Sequence, residues 1–135
     1  MEEPTLSALK AEFRSLVAHL DAEPYYKAFH TTPQHDGAPH VEMKSGKFEY
    51  VVTERGSEIE RISGLGRDQV LYLLLKGVTF SIATSYELRN RRSTGDGRAV
   101  WFPYQENLMA SLRPAWGLRL KAEHEHILRT FPLNE

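Results

Sequence analysis

From Thr5 onward, apolar residues recur by threes and fours at Leu6, Leu9, Phe13, Leu16, Val17 and Leu20, which predicts one amphipathic helix. Glu23-Pro24 ends it, because a residue before proline is pushed out of the helical region. Residues 24–39 carry three prolines and a glycine without a periodic apolar face, so an irregular connection is expected there. At His40 the period changes from helical to alternating. Val41 and Met43 alternate with polar residues, Ser45-Gly46 supplies a turn, and Phe48, Tyr50 and Val52 alternate again, which reads as a β-hairpin. A second turn at Glu54-Arg55-Gly56-Ser57 leads into Glu58–Ile62, completing a three-stranded meander that Ser63–Gly66 closes.

Helical spacing returns with Leu71, Leu74, Leu75, Val78, Ile82 and Tyr86 over about five turns, and Asp68 stands where an N-cap is expected. Arg89 to Gly97 is a polar break. Val100 to Leu112 is helical again if Pro103 lies in its first turn. After Arg113-Pro114, the residues Trp116, Leu120, Ile127 and Leu128 outline a last helix that stops before Phe131-Pro132. The expectation is an α+β chain: an N-terminal helix, a three-stranded antiparallel meander, then three C-terminal helices with a long buried central helix, all in one domain of 135 residues. No internal repeat or low-complexity segment interrupts it.

Composition narrows the function classes. At 41% hydrophobic and 26% charged residues, the chain has the balance of a soluble globular domain. The absence of cysteine excludes disulfides, thiolate zinc sites and a cysteine nucleophile. The start Met1-Glu2-Glu3-Pro4 lacks the basic and apolar regions of a secretory signal. The most apolar run, Val70–Leu75, is far shorter than the roughly 20 residues of a membrane helix. A cytoplasmic location and no membrane partner follow as expectations. The net charge of −1 speaks against a dedicated nucleic-acid binder. The halves nevertheless differ: residues 1–60 hold 6 Lys/Arg against 11 Asp/Glu, and residues 61–135 hold 11 against 7. Such asymmetry either steers a charged partner or is neutralised within the fold.

Candidate chemistry begins with the stretch from His30 to His40, which places His30, His35 and His40 at intervals of five with Asp36 between them. A loop could fold these four around an ion, giving a small metal-binding protein or hydrolase. Their spacing, however, matches neither the helical nor the Cys-paired ligand patterns. The competing reading makes Asp36-Gly37-Ala38-Pro39 a turn that delivers the chain to the first strand. In Glu123-His124-Glu125-His126 the two histidines lie about 200° apart on a helix, so the segment reads as a polar face. Gly64-Leu65-Gly66 before a helix is a weak anion-site signal. Glu58 and Glu60 should share one face of a strand near Glu54, as on a solvated edge. No nucleophile elbow, phosphate loop or dinucleotide fingerprint occurs. The expectation is therefore no enzyme, no catalytic residues, no cofactor and no metal. Arg89, Arg91, Arg92 and Arg98 could grip phosphates in a nucleic-acid module, or pair with Glu87 and Asp96 at a helix end. Trp101, Phe102 and Trp116 could form a recognition surface, but at helical spacing they read as core.

Several segments occur together in a telling order. Asp36–Glu42, Tyr50–Gly56, a leucine-rich helix ending Ala83, Tyr86, Glu87 and Leu88, then Arg91, Asp96, Arg98, Phe102, Gln105, Leu108, Trp116, Ile127, Leu128 and Phe131-Pro132 resemble the bacterial polymorphic-toxin immunity proteins of the immunity protein 63 family. The resemblance spans about residues 36 to 135. It implies a small cytoplasmic protein that binds a cognate toxin domain and blocks it without chemistry of its own. The partner-binding candidates are then the acidic hairpin side (Glu42, Glu49, Glu54, Glu58, Glu60), the loop at His35 and Asp36, and the arginines Arg91, Arg92 and Arg98. For Glu54, Arg55, Glu87, Arg91, Asp96 and Arg98 a structural ion-pair network is the favoured role, since paired charges at element junctions commonly lock a fold together. The toxin's chemistry and the oligomeric state stay open at this level.

Overall fold

A computed structural model describes residues 4–134; the acidic start Met1-Glu2-Glu3 and the terminal Glu135 lie outside the described residues. The element order is α1 (Leu6–Val17), a single 3-10 turn (Pro24–Lys27), β1 (Asp36–Lys44), β2 (Lys47–Glu54), β3 (Ser57–Leu65), α2 (Arg67–Arg89), α3 (Arg98–Leu112) and α4 (Pro114–Thr130). This is the α+β architecture expected from the periodicity. The chain divides into two compact units, Met1–Leu75 and Lys76–Glu135, and the division falls inside α2. No helix among the described residues is long and apolar enough to cross a membrane.

In the first unit, the Thr5 hydroxyl accepts the Ala8 N–H and starts α1, whose buried stripe is Leu9, Phe13 and Val17. Phe13 meets Phe29 with ring centroids 5.7 Å apart, and Glu12 pairs with Arg67. The sheet is an antiparallel meander in the order β1-β2-β3. Both of its turns have positive φ at their two central residues, Ser45 (53°) with Gly46 (77°) and Arg55 (51°) with Gly56 (82°). Two-residue hairpin loops need that geometry to match the twist of the strands. The other side of β1 is met by the connection, where the Val41 N–H donates to the His30 carbonyl at 3.0 Å.

Two local expectations are corrected here. The first strand does not wait for His40: Asp36 already pairs with Glu54, and an irregularity between Asp36 and Pro39 absorbs the Asp-Gly turn residues into the strand. Asp68 is not the N-cap of α2 but lies in its first turn. Gly66 caps instead: its carbonyl accepts the Val70 N–H, and its own N–H donates to Gln69 Oε1 at 2.8 Å. That return bond from the third helical residue is half of a capping box.

In the second unit, the middle of α2 is joined to α3 by Gln105, whose side-chain amide donates to the Lys76 carbonyl at 2.9 Å and to the Thr79 hydroxyl. Tyr86 and Tyr104 stack at 4.1 Å. α3 begins at Arg98, two residues earlier than its apolar pattern suggests, so Pro103 lies in the helix interior rather than the first turn. Pro114 opens α4 at a position where its missing N–H costs nothing. The helices close on each other at Gly117, where a side chain would run into Ala110. The buried stripe of α4 is Trp116, Gly117, Leu120 and His124; Ile127 is exposed, and the stripe ends a turn earlier than expected.

Candidate functional site

The densest polar arrangement of the first unit grows from strand register. His40 faces Val51, Glu42 faces Glu49, and Arg61 faces Val51 from the other side, so His40, Glu42, Glu49 and Arg61 share one face of the sheet. Pure alternation would put Glu58 and Glu60 on a common face. The register instead runs from Val52↔Glu60 to Thr53↔Glu58 and leaves Ile59 without a partner. This β-bulge turns Glu58 onto the Glu49 face and Glu60 onto the opposite one, correcting the expectation that the two share a face.

Arg61 gathers the carboxylates so assembled. Its Nε and Nη2 donate to the two oxygens of Glu58 at 2.7 and 3.0 Å, and its Nη1 donates to Glu42 at 3.2 Å and to Glu49. His40 Nε2 lies 2.7 Å from the second oxygen of Glu42. The ring is only 1% exposed, and its Nδ1 has no hydrogen-bond partner. The hydrogen bond from His40, and then that from Arg61, hold Glu42 below the ordinary carboxylate range. Arg61 does the same for Glu58, and the carboxylates in turn raise Arg61. On the other face, burial pushes the Tyr50 hydroxyl up to about 12, with the nearby Glu60 charge adding to it. Glu49 is buried against Arg61, whereas Glu42 and Glu58 keep 39% and 44% of their side chains exposed. Glu54 and Glu60 are exposed.

The histidine-rich connection does not converge. Among the described residues, no three His, Asp or Glu side chains form a group that could hold a metal ion. His40 is directed to Glu42. The His35 N–H donates to the Thr53 hydroxyl at 3.0 Å, while Asp36 accepts the Ala38 N–H at 3.0 Å and the Tyr25 hydroxyl at 2.7 Å. These two donors, the backbone N–H first, keep Asp36 low, and Asp36 raises Tyr25. The residues thus shape the entry to β1.

In the second unit, the expected ion pairs are two separate ones. Glu87, buried near the end of α2, takes a two-pronged bond from Arg91 at 2.7 and 3.1 Å, which lowers its carboxyl. Asp96 receives the Arg98 guanidinium and the backbone N–H groups of Arg98 and Asn134, which together hold it far below the carboxylate range. Arg98 also donates to the carbonyls of Phe131 and Pro132 at 2.8 and 3.0 Å, fastening the chain beyond α4 to the start of α3. Glu54 and Arg55 sit on the exposed β2–β3 turn and join no ion pair among the described residues. Arg89 and Arg92 are exposed.

His124 overturns the reading of Glu123–His126 as a polar face. It is buried, stacks on Phe102 at 3.8 Å with the rings 9° apart, and bonds Glu106 through Nδ1 at 2.6 Å. The signal was its place four residues after Leu120 and eight after Trp116, a spacing its polarity concealed. Phe102 and Trp116 are buried as core residues.

Residues 44–126 match the family model described as immunity protein 63, from the first hairpin turn into α4. No curated protein and no solved structure matches the chain.

Proposed function

Given that the chain belongs to the immunity protein 63 family, we propose that it binds a cognate bacterial toxin domain and neutralises it as a stoichiometric inhibitor in the cytoplasm. The family match carries this reading. An inhibitor needs complementarity rather than a nucleophile and base, and an interface of roughly 1,600 Å² with a few well-packed anchors and matched charge is sufficient. The half-buried Glu42 and the exposed Glu58 on one face of the sheet, and the exposed Glu54 and Glu60 toward its outer edge, supply such charge, with Asp36 at the start of β1 and His35 just before it. Glu49, taken up by Arg61, supports that surface from below rather than meeting a partner. In the second unit Arg91 and Arg92 are both exposed, but Arg91 is committed to Glu87 as Arg98 is to Asp96, which leaves Arg92 as the candidate. That commitment favours a protein partner over nucleic acid, since two of the clustered arginines already have their anions.

The test is rescue. The C-terminal domain encoded immediately upstream is expressed in a sensitive host with and without this chain. Specific survival together with a one-to-one complex is the expected result. Toxicity without rescue or copurification would refute the proposal.

A further inference from the structure

We propose that Ile59 is the anchor by which the sheet engages the toxin, and that it fits an apolar pocket rimmed by lysine and arginine side chains on that partner. This inference rests on the immunity reading above and specifies its interface.

Four observations converge on it. Ile59 is the extra residue of the bulge in β3, an outer strand of the sheet. It is 57% exposed, and among the described residues it is the large apolar side chain that a strand leaves most open to solvent. A solitary exposed isoleucine would ordinarily mean little. This one is held. Glu58 and Arg61 form a two-pronged ion pair that straddles the bulge, and Arg61 continues to Glu49 on β2 and Glu42 on β1. The anchor therefore sits on a stitched sheet and loses little conformational freedom when it binds.

The same stitching decides the partner's charge. Three carboxylates share one guanidinium, so acids outnumber arginines in the cluster, and Glu60 adds its charge on the opposite face beside Ile59. An aliphatic knob flanked along its strand by the exposed acids Glu58 and Glu60 fits an apolar pocket with basic residues at its rim, where the charges speed encounter and the buried knob slows escape. A bulged outer strand also resists the addition of a further strand, so docking proceeds through side-chain insertion.

The experiment measures binding of the full chain to the upstream-encoded toxin domain for wild type, Ile59→Lys, Ile59→Ser and Glu60→Lys, with folding checked by circular dichroism and melting. Ile59→Lys and Ile59→Ser should stay folded and weaken the complex by about 30-fold or more, mostly through faster dissociation. Glu60→Lys should slow association several-fold at low salt and converge with wild type as salt is raised. Tight binding by wild type with both folded Ile59 variants within about twofold of it would overturn the anchor while leaving the immunity reading intact. Failure of wild type to bind would overturn both.

Discussion

Each unit of the chain builds a centre around one arginine, and the two centres are balanced differently. Arg98 faces the single carboxylate of Asp96 and spends its remaining donors on two backbone carbonyls. Arg61 faces Glu42, Glu49 and Glu58 and leaves them under-neutralised, with two of the three partly in solvent. A locally satisfied centre fastens chain segments. A centre with surplus carboxylates also fastens them, but it leaves negative charge facing solvent. The buried histidines repeat the contrast. His124 stacks on Phe102 and holds Glu106, whereas His40 shares Glu42 with Arg61 and leaves Nδ1 unpaired.

The strongest way to break the comparison is in the second unit's core. Phe102→Ala removes the ring beneath His124 and should cost about 3–5 kcal/mol in urea unfolding. If a toxin binds through the sheet as proposed, the folded fraction should still bind it at wild-type affinity. Replacing the histidines separates the pairs more finely. His124→Leu strips Glu106 of its partner and should cost about 1–3 kcal/mol, while His40→Leu leaves Glu42 bonded to Arg61 and should cost less than about 1 kcal/mol. Equal losses would mean that the two pairs do the same work.

Acid provides a weaker probe. Asp96, Glu87, Glu42 and Glu58 all have folded pKa values below their ordinary ones, so their stabilisation is fully present above the unfolded range near pH 4. It is lost as pH falls from there through the folded values. Urea midpoints at pH 7 and pH 3 should therefore move closer together in Asp96→Asn, and by less in Glu42→Gln, whose carboxylate is more open to solvent. An unchanged gap in Asp96→Asn would mean that the Asp96–Arg98 pair does not stabilise the fold. Smallest is the expectation about domains: because α2 belongs to both units, we propose that wild type unfolds in one cooperative transition. Two resolved calorimetric peaks would refute that.

How much of this was legible follows from the range of each interaction. The Thr5 start, both hairpin turns and the Arg113-Pro114 break are local, and each is written in neighbouring residues. The Gly66 cap was also local and could have been found from Gln69 three residues on, had Asp68 not stood in a more familiar place. Strand alternation misled at Ile59, because a bulge changes the period by one residue and only pairing with β2 shows it. Polarity misled at His124, whose partners Glu106 and Phe102 lie 18 and 22 positions away.

The sequence by itself determined the α+β order of elements, the turns and the family resemblance, since helical and strand periods, glycine turns and motif order act over a few residues. Only the tertiary structure decided which charges are paired within the fold and which stay in solvent. Arg61 meets Glu42 and Glu49 because three strands lie side by side, and Arg98 meets the Phe131 and Pro132 carbonyls because the chain beyond α4 returns to α3. Pairings across such distances depend on register and packing, which no local pattern contains.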